Sequence, residues 1–262
     1  MAGVERNLTM LDADHGSKII FGLEFPNAPK SGFDAIHNPE GVAEMKNRPI
    51  NKRFVEVGSK NLEGILRVPK DSIGLVVFAH GAGSSHLSPR NNFVAESLGQ
   101  RGIATLLFDL LTEAEAFDRK NVFDIPLLSE RLLEAVSWAH IETELVDLPV
   151  GLFGSSTGAA AALVAAAHAP DRVDVVVSRG GRADMAGEAL PKVRSPTLLI
   201  VGGRDGIVVN MNEEASNALC CKNRLEIVPG ATHLFEEPGA LDQVVALAGD
   251  WFEKYLRVAG EK

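Results

Sequence analysis

A serine between two glycines is the feature of this sequence that most clearly indicates chemistry. A short apolar run from Val150 leads into Gly154-Ser-Ser156-Thr-Gly158, and an alanine-rich stretch that is predicted to be helical follows at once. A strand, a sharp turn and a helix in this order typically carry a nucleophilic serine, whose hydroxyl stands clear of the sheet. The turn crowds the positions two residues before and after the serine, so both must lack a Cβ atom. Ser156 meets this condition and is the candidate nucleophile.

A serine hydroxyl is a weak nucleophile by itself and needs a base, which a carboxylate must orient. Two later predicted strands are each followed by a suitable group: the strand 196–201 by Asp205, and the strand 224–228 by His233. Open parallel sheets bind ligands at the carboxyl ends of their strands, so both side chains are expected near Ser156. We predict Asp205 as the acid and His233 as the base.

Other residues could fill these two roles. Asp184 follows the preceding predicted strand and is an alternative acid. Four further histidines lie on predicted helices or in the irregular N-terminal part and are not expected to act as the base: His15, His37, His140 and His168.

Hydrolysis through a serine also needs two backbone N–H groups that stabilise the developing oxyanion. One is expected from Thr157, the residue after the nucleophile. The other is expected from the loop His80-Gly-Ala82-Gly-Ser-Ser85, which follows a predicted strand, and Ala82 is our choice. His86 lies close to this loop and could line the substrate pocket.

Arginines offer the only further indication of the substrate. Three of them are candidates for substrate binding because they follow strand ends or the oxyanion loop: Arg90, Arg179 and Arg182. Their planar guanidinium groups suit a carboxylate or a phosphate. The alternative is that they pair with carboxylates of the protein and brace the loops, with Asp109, Asp118 and Asp184 as the available partners.

The pattern of apolar segments predicts an α/β fold. Strands are expected near residues 53–58, 62–68, 74–79, 103–108, 150–153, 173–177, 196–201 and 224–228, and helices from about 91, 127, 157, 211 and 239. The first two strands should form a hairpin, and the others a mostly parallel central sheet of about eight strands flanked by helices. No large cap domain is expected, and residues 112–124 are predicted to be a long polar loop.

Several of these segments together resemble a known family. The motifs are Phe78-Ala-His-Gly-Ala-Gly-Ser-Ser85, Phe153-Gly-Ser-Ser-Thr-Gly-Ala-Ala-Ala161, Pro196-Thr-Leu-Leu-Ile-Val-Gly-Gly-Arg-Asp205 and Pro229-Gly-Ala-Thr-His233. About four-fifths of the chain is similar to α/β-hydrolases of the dienelactone hydrolase-like group, in particular to small bacterial hydrolases that are associated with a phosphoribosyltransferase. The resemblance implies a triad at Ser156, Asp205 and His233. It departs at the nucleophile, which is cysteine in true dienelactone hydrolases and serine here.

Length and composition favour one catalytic domain with an extension. We expect an N-terminal extension over residues 1–50 and an α/β-hydrolase domain over residues 51–262. A net charge of −9 argues against nucleic acid as a partner, and the sequence lacks an apolar signal or membrane segment. Cys220 and Cys221 are expected to be small buried residues. Two cysteines without a disulfide framework suit a reducing compartment, so a cytoplasmic protein is predicted.

These observations predict a hydrolase that needs neither a cofactor nor a metal. The expected substrate is a small ester with a short acyl chain, cleaved through an acyl-enzyme intermediate. A thioesterase or a lactonase would need the same residues and remains an alternative. From another class, the alternative is a hydrolase-fold protein that binds a partner with little turnover. A homodimer is compatible with the sequence.

Overall fold

The computed structural model describes residues 48–256, and this part of the chain contains one eight-stranded sheet. The strands are β1 (Ile50–Val57), β2 (Leu62–Pro69), β3 (Leu75–Ala79), β4 (Ala104–Phe108), β5 (Val150–Ser155), β6 (Val175–Arg179), β7 (Thr197–Gly202) and β8 (Asn223–Val228). Their order across the sheet is β1-β2-β4-β3-β5-β6-β7-β8. The pairs β1–β2 and β2–β4 are antiparallel, and all the others are parallel.

Helices cover both faces of the sheet. They are α1 (Pro89–Gln100), α2 (Glu113–Ala116), α3 (Arg119–Val122), α4 (Ile125–Ala139), α5 (Thr157–His168), α6 (Gly206–Ala218) and α7 (Ala240–Tyr255). A run of 3₁₀ turns spans Ala183–Lys192 between β6 and β7. None of the helices between residues 48 and 256 is both long and apolar enough to cross a membrane.

The central strands are buried on both faces, which explains their unbroken apolar sequences. Successive side chains of a strand point to opposite faces, so β3 contributes to two cores. Val77 belongs to the core with α4, α5 and α6, whereas Val76 and Phe78 belong to the core with α1 and α7. Because β3 and β5 to β8 run parallel, their carboxyl ends lie at one edge of the sheet, where the loops after β3, β5, β7 and β8 meet.

The predicted α/β-hydrolase architecture is confirmed, and each predicted strand coincides with an observed one to within about three residues. The segment 112–124 differs from the prediction of a long polar loop, because it holds the two one-turn helices α2 and α3. Local capping explains them: the Thr112 hydroxyl accepts from the Glu115 amide and the Glu115 carboxylate accepts from the Thr112 amide, while the Asp118 carboxylate accepts from the Lys120 amide.

The two cysteines lie between α6 and β8. The prediction that both cysteines are buried is wrong for Cys220, which is exposed, and Cys221 is half-buried; both are free thiols. They lie just beyond the end of α6, in the turn that leads to β8, rather than inside a helix. The predicted extension over residues 1–50 lies outside the described residues except for its last three positions.

Candidate active site

Ser156 occupies a strained turn between β5 and α5. Its φ of 51° and ψ of −121° are backbone angles that residues other than glycine rarely adopt. A Cβ atom at Gly154 would lie 2.4 Å from the Ala159 Cα atom, and one at Gly158 would lie 2.2 Å from the Ala79 carbonyl oxygen. Gly154 therefore lets the strand meet its own helix, and Gly158 lets the helix approach β3. These close contacts explain why the turn needs both glycines.

The two adjacent serines have different surroundings. Ser155 is the last residue of β5 and is buried, and its hydroxyl donates to the Asn91 Oδ1 atom of α1 at 3.2 Å. Ser156 is partly exposed, and both serines border a cleft of about 280 Å³ that His233 also lines. The Ser155 hydroxyl is thus engaged by Asn91, whereas Ser156 is the more exposed of the two serines and stays our predicted nucleophile.

His233 and Asp205 meet in this cleft although they come from different loops. The His233 Nδ1 atom lies 2.6 Å from the Asp205 Oδ2 atom, a short contact typical of a charge-assisted hydrogen bond. Nδ1 donates in this contact, so Nε2 is left as the basic nitrogen. Gly202 makes the approach of the two loops possible, because a Cβ atom there would lie 2.5 Å from the Ala231 carbonyl oxygen.

The alternative acid, Asp184, is engaged elsewhere. Its two carboxylate oxygens accept from the Arg182 Nε and Nη2 atoms, both at 2.8 Å. This bidentate ion pair braces the loop, which was the alternative to substrate binding that the sequence offered for the arginines. The geometry therefore favours Asp205 over Asp184 as the partner of the histidine.

The loop after β3 passes close to Ser156. A Cβ atom at Gly81 would lie 3.0 Å from the Ser156 Cβ atom, so only glycine allows this approach without displacement. The Ala82 amide donates to the Thr157 hydroxyl at 3.0 Å. Thr157 is the first residue of α5, where the helix provides no acceptor for its own amide. The two predicted oxyanion donors are thus neighbours, joined through the Thr157 side chain.

His80 fixes the start of the same loop. Its Nε2 atom accepts from the Leu110 amide at 3.1 Å, so Nδ1 carries the proton and donates to the Gly81 carbonyl at 3.0 Å. Burial lowers the pKa of His80, which keeps the ring neutral and preserves this arrangement. Sequence reasoning did not assign a role to His80 or to Asn91, and the motif His80-Gly-Ala-Gly83 was the only signal that could have indicated the first.

The candidate substrate-binding residues do not all reach the cleft. Arg90 and Arg179 line it, whereas Arg182 is held by Asp184. His86 lies outside it, because its ring is buried with Nδ1 at 2.9 Å from Asp109 and it lines a separate groove beside β1 and β2. The structure therefore gives no support to the assignment of His86 to the substrate pocket.

The groove beside β2 also contains the one set of potential metal ligands found between residues 48 and 256. Ligand atoms of Glu63, His86 and Asp109 all lie within 4.8 Å of one another. Asp109 already contacts both the ring and the backbone amide of His86, with the amide donating at 2.7 Å. None of the three residues lines the Ser156 cleft, although Asp109 also lines a neighbouring cavity along the loop after β3.

Comparison with known proteins agrees with the fold. The family described as alpha/beta hydrolase domain matches residues 72–245. This chain belongs to the α/β-hydrolase family. Within that family, the crystal structure of a dienelactone hydrolase from Anabaena variabilis is 53% identical with a TM-score of 0.76, covering 80% of this chain and 99% of the other. The predicted resemblance to dienelactone hydrolase-like proteins is confirmed, and the assignment supports a hydrolase activity.

Two further comparisons concern a longer relative and a distant one. Proteins from two strains of Mycobacterium tuberculosis, provisionally named phosphoribosyl transferases, are 54% identical over 253 residues; these cover 96% of this α/β-hydrolase but only 55% of the relatives. A carboxyl esterase from Tuber melanosporum shares the fold with a TM-score of 0.63 at 19% identity, covering 81% of this chain and 89% of the other.

Proposed function

We propose that this α/β-hydrolase cleaves carboxylic esters of small substrates with short acyl chains through an acyl-enzyme intermediate. The observation that carries the proposal is the 2.6 Å contact between His233 and Asp205 in the cleft that Ser156 also lines. A nucleophile on a strained turn, a base and an orienting carboxylate are the parts that serine catalysis requires.

Each residue then has a defined task. The Ser156 hydroxyl attacks the ester carbonyl while the His233 Nε2 atom takes its proton. The Asp205 carboxylate holds the ring through Nδ1 and stabilises its protonated form. The same proton passes to the departing alcohol, which leaves an acyl group on Ser156. Water then attacks this acyl group with His233 again as the base, and the acid product is released.

The backbone amides of Ala82 and Thr157 are the donors proposed for the oxyanion that forms in both steps. The contact between the Ala82 amide and the Thr157 hydroxyl supports this role, because it holds the loop after β3 against the first turn of α5. To donate to the oxyanion, the Ala82 amide must either divide its hydrogen bond between the Thr157 hydroxyl and the oxyanion or give up the hydroxyl for the oxyanion.

A short acyl chain is favoured by the space around Ser156. A second cavity of about 280 Å³ lies along the oxyanion loop, and apolar side chains line part of it: Leu110, Leu111, Val122 and Leu128. Both cavities are at the lower end of the usual size for ligand pockets, roughly 300–1,000 Å³. The connection between β6 and β7, where a cap could be inserted, is a run of 3₁₀ turns over Ala183–Lys192.

Thioesters and lactones present the same acyl carbon to the same residues, so they are additional arms of the substrate test. The transferase name of the Mycobacterium tuberculosis relatives belongs to longer proteins, of which this chain spans 55%. It therefore gives no reason to place transferase chemistry in this domain.

Labelling with a fluorophosphonate, which reacts with activated serines, tests the proposal directly. The full chain should be labelled, and Ser156→Ala should remove both the label and turnover of 4-nitrophenyl butyrate. Ser155→Ala is the matched control, because its hydroxyl faces Asn91, and it should retain the label with at most a modest loss of rate. Absence of labelling in the folded wild-type protein, or labelling that survives Ser156→Ala, would refute the proposed mechanism.

A further inference from the structure

Arg179 is a buried positive charge beside the proposed nucleophile. It ends β6, the residue is only 7% exposed, and its Nε and Nη1 atoms are buried without a hydrogen-bond partner. The Phe235 ring lies near the guanidinium, with its centroid 6.0 Å away. A ring face stabilises a cation weakly compared with a carboxylate.

Two other arginines that are largely withdrawn from solvent have carboxylate partners, whereas the buried Arg67 donates to the Asn92 Oδ1 atom and keeps its Nη1 atom without a partner. Arg101 pairs with Asp250 and Glu253, and Arg131 pairs with Glu115 and Glu134. Arg179 contacts no carboxylate of residues 48–256. A buried charge without a partner is costly, so such an arrangement is rare unless a ligand completes it.

The guanidinium nevertheless keeps its charge. Burial and the nearby positive charge of Arg90 lower the pKa of Arg179 to about 10, which still leaves it protonated at neutral pH. Arg90 stands at the start of α1 and lines the same cleft, with a partly exposed contact to Glu236 at 2.9 Å. Glu236 supplies a counter-charge to Arg90 but not to Arg179, so an anion bound in the cleft would offset the remaining positive charge.

The position of Arg179 relative to the reacting groups is fixed by the sheet. Its Cα atom pairs with that of Ser155 across β5 and β6, and its carbonyl accepts from the Ser156 amide at 3.3 Å. Arg179, Ser156 and His233 all line the same cleft. A group that binds Arg179 therefore lies within a few bonds of the carbonyl that Ser156 attacks.

We propose that Arg179, assisted by Arg90, binds an anionic group of the ester substrate, so that this hydrolase prefers esters bearing a carboxylate or a phosphate. The proposal rests on the proposed function, because it names the substrate class of the same site. The substrate anion supplies the counter-charge that the protein lacks.

The first test compares two esters that differ only in charge. 4-Nitrophenyl hydrogen adipate carries a carboxylate at the end of its acyl chain, and 4-nitrophenyl methyl adipate is its neutral equivalent. Wild-type kcat/KM should favour the anionic ester, and Arg179→Met should lower the anionic-to-neutral ratio roughly 10- to 100-fold, the scale of a hydrogen bond to a charged group. The 4-nitrophenyl ester of 5-phosphonopentanoic acid tests whether the site prefers a phosphate-type anion to a carboxylate. A comparison of 3-carboxyphenyl butyrate with phenyl butyrate tests whether the anion lies on the alcohol side of the ester.

Arg182→Met is the matched control, because the Arg182 guanidinium is already held by Asp184. This substitution should leave the anionic-to-neutral ratio unchanged. Arg179→Lys keeps the charge but not the planar fork and should retain part of the preference. A wild-type protein without preference for any of the anionic esters, or an equal ratio in wild type and Arg179→Met, would overturn the proposal.

Thermal stability separates binding from bracing. Arg179→Met removes a buried charge that has no carboxylate partner, so its Tm should equal or exceed that of the wild type. A clear fall in Tm together with equal losses on both esters would mean that the guanidinium already has a counter-ion in the folded chain. If Arg179→Met does not fold, competition on the wild type replaces it: adipate should inhibit neutral ester turnover at a concentration at least roughly tenfold lower than adipamide, and equal inhibition would overturn the proposal.

Binding can also be measured without turnover. Adipate should raise the Tm of Ser156→Ala, and the rise should disappear in Ser156→Ala/Arg179→Met. If Ser156 fails to label but adipate still binds through Arg179, the proposed function has failed and the anion site has not. If labelling succeeds and adipate has no effect, only the anion site is refuted.

Discussion

The two sides of the Ser156 cleft differ in how their polar groups are satisfied. On one side, His233 contacts Asp205, and the Ala82 amide contacts the Thr157 hydroxyl. On the other, the Arg179 guanidinium has buried nitrogen atoms without a partner. We refer to these as the paired side and the unpaired side. The first is complete in the free protein, whereas the second becomes complete only with an anion.

This difference suggests how to distinguish groups that hold the site from groups that hold the substrate. A catalytic group must be oriented before the substrate arrives, so its partner belongs to the protein. A binding group needs its partner only when the substrate is present. Removing a partner on the paired side should therefore cost rate or stability, whereas removing Arg179 should cost selectivity alone.

The largest expected loss from removing a partner follows Asp205→Asn. An asparagine amide would favour the wrong tautomer of His233, so kcat for 4-nitrophenyl butyrate should fall roughly 10³- to 10⁴-fold. Asp184→Asn is the matched control and should leave kcat within a few-fold, because its partner is Arg182. If Asp184→Asn were the damaging change and Asp205→Asn mild, our assignment of the acid would be wrong.

A smaller effect is expected for acyl-chain length. 4-Nitrophenyl esters with two to six acyl carbons should be cleaved with kcat/KM roughly tenfold or more above those with twelve, because the apolar cavity that includes Leu111 and Leu128 is small. The comparison is made below the concentration at which long esters form micelles. A preference for chains of twelve or more carbons would contradict this prediction.

The strands and the candidate triad could be predicted because they depend on local sequence. An apolar strand followed by Gly154-Ser-Ser156-Thr-Gly158 has few other conformations, and strands buried on both faces have sequences such as that of β3. Placing Asp205 and His233 required only the rule that parallel strands end at one edge.

Side-chain pairing could not be predicted in the same way. The pair of Arg182 and Asp184 was one of the alternatives that the sequence offered, but that Arg179 meets no carboxylate of the described chain depends on rotamers and on loops that are distant in sequence. His86 was misplaced for this reason: it is close to the oxyanion loop in sequence, but its ring turns to Asp109. The contact of His80 with Leu110 likewise joins the ends of two strands, and no sequence spacing encodes it.

Thr157→Val tests the paired side at the oxyanion loop. Valine keeps the shape but removes the acceptor of the Ala82 amide, so the loop is less firmly held. We expect kcat to fall roughly threefold to tenfold, the scale of one neutral hydrogen bond. Thr157→Ser keeps the hydroxyl and should stay near wild type. A rise in kcat for Thr157→Val would show that the hydroxyl competes with the oxyanion for the amide rather than positioning it.

The smallest effect concerns His80, whose two ring nitrogens both have partners in the folded protein. Burial lowers its pKa below the ordinary value of about 6.5, so the unfolded chain takes up a proton at a pH where the folded chain does not. The contribution of the neutral ring to stability is present above that value and is lost as the pH falls below it.

Between pH 7 and pH 5, the free energy of unfolding from urea titrations should therefore decrease, with at most about 1.4 kcal/mol per pH unit from this residue. His80→Gln should reduce that slope, whereas His168→Gln, at the exposed end of α5, should leave it unchanged. An identical slope in His80→Gln and wild type would show that His80 is not held neutral at the start of the loop after β3.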